Sequence, residues 1–183
     1  MVRLLGTLNN KDFDYTDGIV LLGKRGSGKT SVLKTIAKPL PNKLIIDIVG
    51  NLKELNDKTA RYYLTSPINS TAILDKIDYK KGKFYLVLDE ADRIPYKNTL
   101  QEIINLGRNW SIGYIATARR TANIHKDYLA NAKHVIVFRH NLPQDLEMLS
   151  EWLPAEAYMK VTKLGEYEFI LVSNDKFMGV YKL

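Results

Sequence analysis

The chain has 183 residues, 45% of them hydrophobic, no cysteine, and a formal net charge of +7. That length fits one domain with a small appendage; a disulfide framework and a thiolate metal site are excluded, and no apolar run approaches the ~20 residues that span a bilayer. The basic excess, with a pI near 9.4, favours polyanionic partners, nucleic acid first.

Residues 1–18 are polar, with Asn9-Asn10 and Asp17-Gly18, and read as an N-terminal arm with a weak strand at most. Met1 to Gly6 is too short for a secretory signal, and the lack of cysteine fits an intracellular protein. Ile19 to Leu22 is a compact apolar run suited to a buried strand. Lys29 to Ala37 has helical spacing, with Val32, Leu33 and Ile36 on one face. Leu44 to Val49, after Pro39 and Pro41, predicts a second buried strand, and Arg61 to Thr65 a short edge strand. Asn69 to Asp78 predicts a helix, with Ile73 and Ile77 four apart, and Lys80 to Lys83 a basic turn. Phe84 to Leu88 is a strongly apolar strand. Thr99 to Arg108 predicts a helix with Leu100, Ile103, Ile104 and Gly107 on one face.

Ile112 to Thr117 and Val135 to Phe138 are two further predicted strands. Leu142, Leu146, Leu149 and Leu153 fit one side of a helix that Pro154 stops, and Ala155 to Leu164 a second short helix. Glu168 to Val172 and Phe177 to Tyr181 alternate as a hairpin with Asn174-Asp175 at its turn. Buried strands alternating with helices point to a mostly parallel α/β sheet. The whole chain, 1–183, is expected to be one domain, with the arm at 1–18 and the hairpin at 165–183 as its ends.

Residues 23–30, Gly-Lys-Arg-Gly-Ser-Gly-Lys-Thr, fit the phosphate-loop pattern G-x-x-x-x-G-K-[ST], between a predicted strand and a predicted helix. Gly23, Gly26 and Gly28 let the backbone turn sharply and approach phosphate oxygens. The helix N-terminus supplies amides and dipole to an anion. The predicted nucleotide-binding run is Gly23, Lys24, Arg25, Gly26, Ser27, Gly28, Lys29, Thr30 and Ser31. Lys29 would reach the β- and γ-phosphates of ATP, and the Thr30 hydroxyl would hold Mg²⁺.

Phe84 to Leu88 runs into Asp89-Glu90-Ala91-Asp92. An apolar strand ending in a carboxylate is the acidic partner of a phosphate loop, the Walker B arrangement, so Asp89 is a second Mg²⁺ position. Glu90 would polarise the attacking water as general base, which favours hydrolysis over phosphoryl transfer to a metabolite. Asp92 is expected to pair with Arg93. The Asp-Glu-Ala-Asp spelling is read as coincidence, because helicases that carry it need two such domains.

Beyond these motifs the chain resembles the FtsK–HerA superfamily of DNA-pumping ATPases. The parts that carry the resemblance are Leu88-Asp89-Glu90, Gly107-Arg108, Ile112-Gly113, Ala116-Thr117-Ala118-Arg119-Arg120 and Phe138-Arg139, over about residues 18–172. Small members that fill one domain are the genome-packaging ATPases of tailless or archaeal viruses. The resemblance implies an α/β, RecA-like P-loop fold of the ASCE type. Its mostly parallel central sheet is flanked by helices, its fourth core strand lies between the loop strand and the Walker B strand, and a C-terminal β-hairpin follows. It implies ATP and Mg²⁺ as cofactors, double-stranded DNA as partner, a homo-oligomeric ring, expected to be a hexamer, and a capsid or vertex protein as docking partner. It places the protein in the host cell cytoplasm or on the virion, without a membrane span.

The superfamily has Gln where this chain has Ala118 and Pro where it has Arg120. That Gln senses the γ-phosphate; here Thr117 could take the role through its hydroxyl or be an ordinary strand-end residue, and Arg119 or Arg120 could substitute at longer reach. The resemblance also implies an arginine finger from the neighbouring subunit, and Arg108 stands at the matching position. Arg119 and Arg120 are the alternatives and could instead touch DNA phosphates; Arg139 could be a second sensor or a strand cap. A pump indifferent to sequence grips phosphates, and Lys80, Lys81, Lys83, Lys97 and Lys126 are the residues available for that. His125, His134 and His140 lack metal-ligand spacing and read as structural, and Trp110 and Trp152 as packing residues. Two other functions share the same site: a virion-assembly or export ATPase, and a nucleotide-dependent loader or switch that does not pump DNA.

Overall fold

Each five-residue apolar run becomes a strand buried on both faces, because helices cover the sheet on either side. A computed structural model describes residues 2–4, 13–14 and 16–183. Its strands are β1 (Val2–Leu4), β2 (Gly18–Leu22), β3 (Lys43–Asp47), β4 (Ala60–Leu64), β5 (Phe84–Leu88), β6 (Ile112–Ala118), β7 (His134–Phe138), β8 (Glu168–Ser173) and β9 (Lys176–Lys182). Among the described residues they form one sheet in the order β1-β9-β8-β7-β2-β6-β5-β3-β4. From β7 through β4 every pairing is parallel, while β7–β8 and β8–β9 are antiparallel. β6 lies between the loop strand β2 and the Walker B strand β5, the additional-strand arrangement of the P-loop ATPase fold.

Alternation along the strands divides the core. Val20, Leu22, Leu44, Ile46, Leu86 and Leu88 face the helices α2 (Pro67–Leu74), α3 (Asn98–Leu106), α4 (Lys126–Ala130), α5 (Pro143–Trp152) and α6 (Ala155–Val161). Ile19, Leu21, Ile45, Tyr85, Val87 and Ile115 face α1 (Lys29–Ala37), whose Val32, Leu33 and Ile36 are buried.

Several boundaries differ from the sequence-based expectation for visible reasons. β3 stops at Asp47 rather than Val49, because the Asp47 carboxylate gathers the amides of Val49, Gly50, Asn51 and Leu52 and turns the chain. α2 begins earlier, at Pro67, under a Ser66 cap that accepts the Asn69 amide, and ends at Leu74. α3 ends at Leu106, and Gly107–Trp110 tightens into a 3-10 turn, so Arg108 lies past the α-helix. Helix α4 was not expected. The predicted hairpin forms, with Asn174 and Asp175 both at positive φ, as a two-residue type I′ turn requires. Of the predicted N-terminal arm, Val2–Leu4 pairs with β9 in parallel; residues 1, 5–12 and 15 lie outside the described residues.

Candidate active site

The phosphate loop leaves the buried end of β2 and is pinned to the neighbouring strand by Gly23 N–H donating to the Ala118 carbonyl over 3.2 Å. Gly26 (φ +78°) and Gly28 (φ +104°) occupy the left-handed region, and a Cβ on Gly26 would meet nothing within 4 Å. Gly28 caps α1 without a side-chain hydrogen bond, so no side-chain cap competes for the first-turn amides. Lys29, though buried, donates its ammonium to the carbonyls of Gly23 and, at 2.9 Å, Lys24. Burial pushes its pKa down to about 8; Asp89 raises it, Arg119 lowers it further, and Asp92 and Glu90 add smaller raising effects. Ser27 Oγ is buried with no hydrogen-bond partner among the described residues, a free polar group in a loop whose pattern calls for phosphate oxygens. Lys24, Arg25 and Ser31 are exposed and Thr30 is half-buried.

β5 delivers two nearly buried carboxylates, Asp89 and Glu90, which are 2% and 6% exposed. Glu90 takes a left-handed backbone (φ +57°) that ends the strand and starts the 3-10 turn Ala91–Arg93. Thr117, fully buried in β6, donates its hydroxyl to Asp89 Oδ1 at 2.7 Å and accepts the Glu90 amide at 2.9 Å. Asn51 Nδ2 reaches Asp89 Oδ2 at 3.4 Å from the loop that Asp47 organises. Asp47 also accepts the Tyr62 hydroxyl at 2.8 Å. Glu90 Oε1 is ion-paired to Arg119 and Oε2 to Arg93 at 2.9 Å. Arg93 therefore serves Glu90 and not Asp92 as expected; Asp92 keeps one buried unpartnered oxygen, and burial raises its pKa.

These groups converge. Arg25, Gly26, Lys29, Thr30, Asn51, Asp89, Glu90 and Arg119 line one cavity of about 200 Å³. On the other side of the loop a second cavity, about 380 Å³, is lined by Lys24–Ser27, Phe138, Arg139 and the 165–168 turn. Both meet at Arg25 and Gly26. Thr30 and Asp89 share the first cavity, and a hydroxyl beside a buried carboxylate is an oxygen donor set that suits Mg²⁺.

Other predicted residues lie elsewhere. Arg108 is exposed at the strand-start edge of the sheet, on a cavity shared with Gly18, Ile112 and Lys133. The five or six residues of a strand separate it from the phosphate loop by about 17 Å. Ala118 is buried in the core facing α2–α6. Arg120 is tied to the buried Asp145 at 2.8 Å, and Arg139 is exposed beside the second cavity. Lys80, Lys81, Lys83, Lys97 and Lys126 are all exposed, with Lys81 paired to Asp78. His134 bonds Asp17, His140 Nδ1 lies 2.8 Å from the Phe138 carbonyl, and His125 caps α4 while stacking on Tyr96. Trp110 packs edge-on to Tyr79, and Trp152 against the core. Sequence reasoning missed Asp47 and Asn51; the available signal was an Asp closing an apolar strand just before a Gly-Asn turn.

A family model described as an AAA domain matches residues 16–151. The chain belongs to the AAA domain family. Within it the site has the layout of a P-loop ATPase. This AAA domain is also similar in fold to the genome-packaging NTPase B204 of Sulfolobus turreted icosahedral virus 2, solved with AMPPCP. The TM-score is 0.78 at 20% identity, covering 92% of this chain and 98% of that one. It resembles the type VII secretion ATPase EccC of Thermomonospora curvata, with a TM-score of 0.66 and 14% identity over 90% of this chain and 35% of that one. The pCW3 conjugation coupling protein TcpA gives 0.56 at 13% identity, covering 89% and 59%. At these identities the likeness shows a shared fold. A search of the curated proteins found no match. No helix among the described residues of this AAA domain is long and apolar enough to cross a membrane.

Proposed function

We propose that the protein hydrolyses ATP and couples hydrolysis to translocation of double-stranded DNA, as the packaging motor of a viral genome. The observation that carries the hydrolytic half is the convergence of Lys29, Thr30, Asp89 and Glu90 on one polar cavity beside a helix N-terminus. In this reading the triphosphate would lie in that cavity, and the nucleoside would cross open Gly26 into the second one, against Arg139 and Tyr167. Thr30 and Asp89 would hold Mg²⁺, which neutralises phosphate charge when bound. Lys29 exchanges its loop carbonyls for phosphate oxygens. Glu90 takes a proton from water as the water oxygen bonds to the γ-phosphorus. The bond to the bridging oxygen breaks, and ADP leaves with that electron pair.

Arg108 lies too far from its own loop to act there, which supports a role at the neighbouring subunit's site within a ring, a hexamer in this reading. The fold likeness to B204 over nearly both full chains and the charge of +7 support the DNA half. Exposed lysines supply sequence-independent phosphate contacts. A capsid or vertex protein completes the proposed assembly, in the host cytoplasm or on the virion.

The test is the ATPase rate with and without duplex DNA, with assembly size measured in the same samples. The expected result is stimulation that grows with duplex length in a ring-sized assembly. A rate indifferent to duplex DNA would leave a nucleotide switch and remove the motor.

A further inference from the structure

Arg119 stands between two anionic destinations. Its guanidinium is ion-paired to Glu90 Oε1, and it also lines the phosphate cavity with Lys29 and Thr30. It reaches both from just past the end of β6: Thr117 lies under the acidic pair, Ala118 packs into the core, and Arg119 follows at the cavity rim. Its side chain is 36% exposed and free of other ion pairs within the described residues, so it can swing. Arg93, the second partner of Glu90, sits three residues along on the same 3-10 turn and does not line that cavity.

Arg119 on Oε1 and Arg93 on Oε2 engage both oxygens of Glu90, so a water has to displace a guanidinium to reach either. A γ-phosphate carries more negative charge than Glu90 and offers a guanidinium two oxygens in a fork geometry. The two pairings of Arg119 exclude each other. We propose that Arg119 is a γ-phosphate-responsive latch: its pairing with Glu90 restrains the base, and its transfer to the γ-phosphate of ATP releases Glu90 to accept the water's proton. This rests on the reading that ATP binds at 23–31 against Asp89 and Glu90. Arg119 is a positioning residue in this scheme, and the nucleotide it distinguishes is triphosphate from diphosphate.

Such a latch makes Glu90 a competitor of ATP for Arg119, and competition is measurable as coupling. The experiment is the affinity of the purified protein for magnesium β,γ-methylene-ATP and for magnesium ADP in wild type, Arg119→Ala, Glu90→Gln and the double variant. Loss of Arg119 is expected to weaken the analogue by about tenfold or more and leave ADP within about twofold, since only the third phosphate meets the guanidinium. Glu90→Gln frees Arg119 and is expected to tighten the analogue several-fold, a gain that disappears in the Arg119→Ala background. Arg119→Lys keeps the charge without the fork and should retain part of the discrimination; it carries the same cycle should the alanine variant fail to fold. An analogue-to-ADP ratio unchanged by either Arg119 substitution overturns the latch, as does an equal Glu90→Gln gain with and without Arg119. Failure of the wild type to bind either nucleotide overturns the underlying site assignment instead, so the two failures are distinct.

Discussion

The Thr117 hydroxyl donates to Asp89 Oδ1 over 2.7 Å and accepts the Glu90 amide over 2.9 Å, so one fully buried side chain in β6 fixes both acidic residues at the end of β5. That use of the hydroxyl bears on the sensor reading, since Thr117 sits beneath the carboxylates and not among the residues lining the phosphate cavity. Thr117→Val keeps the shape and removes the hydroxyl. It leaves a buried amide unpaired and Asp89 short of a donor, which should cost about 1–3 kcal/mol of stability. Thr117→Ser should recover most of it. Urea denaturation of the three proteins checks the order; a Val variant as stable as wild type would remove the hydroxyl from the account.

Asp47 makes a second prediction, one about acid. It is fully buried, which by itself pushes the carboxyl up. Hydrogen bonds from the Leu52 amide, the Tyr62 hydroxyl and the Gly50 and Val49 amides more than offset that and hold it below the ordinary 3.8. A carboxylate with a depressed folded value contributes stability that is present above the unfolded value and is lost as pH falls through the folded one. Wild type should therefore lose stability below about pH 4 more steeply than Asp47→Asn, which is weaker at neutral pH because it accepts fewer charge-assisted bonds. Denaturation midpoints from pH 6 to pH 2 test this; parallel curves would count against Asp47 as the anchor of the 48–52 turn.

The parts of this site that could be read from sequence are those whose chemistry is contiguous along the chain. Gly23 to Thr30 signals its own turn, helix and ligand, and Phe84 to Glu90 its own strand and carboxylates. The hairpin at Asn174-Asp175 was legible because the turn needs residues that tolerate positive φ. What was not legible joins distant segments: Thr117 with Asp89, Asn51 with Asp89, and Arg119 with Glu90 lie 28, 38 and 29 residues apart. Helix α4 has five residues, too few to show a helical period, and it is fixed by packing Tyr128 and Leu129 into the core. Arg93 was assigned to the adjacent acid, but the 3-10 turn spaces it to meet Glu90.

In the proposed nucleotide site, Lys29 would set a pH limit on binding. Burial brings its pKa down to about 8 from 10.5. The triphosphate binds the charged ammonium, so binding above that pH must take up a proton. Affinity for a non-hydrolysable ATP analogue should be level below about pH 7 and fall toward tenfold per pH unit above about 8, a window in which an ordinary lysine is still fully charged. Lys29→Arg should bind more weakly overall but with a flat profile, because its guanidinium stays charged throughout. A flat wild-type profile to pH 9.5 would contradict the lowered value.

The position of Arg108 predicts complementation between two inactive proteins. It lies at the sheet edge opposite the phosphate loop, about 17 Å from it along the strands, so its own cavity cannot use it. In the proposed ring, Lys29→Ala removes the phosphate ligand from a subunit's own site, and Arg108→Ala removes the finger proposed to reach the neighbour's. Each protein alone should lack DNA-stimulated hydrolysis. In a ring assembled from an equal mixture, an interface works when the Arg108→Ala subunit supplies the loop and the Lys29→Ala subunit supplies the arginine. Random mixing makes one interface in four complete, so activity up to about a quarter of wild type should return. The mixture must be unfolded and reassembled, or co-expressed, so that subunits exchange, and size measurement must show intact rings. Recovery that scales with the product of the two subunit fractions supports a finger acting across the interface. Intact mixed rings without recovery would exclude Arg108 from that role and pass it to another arginine.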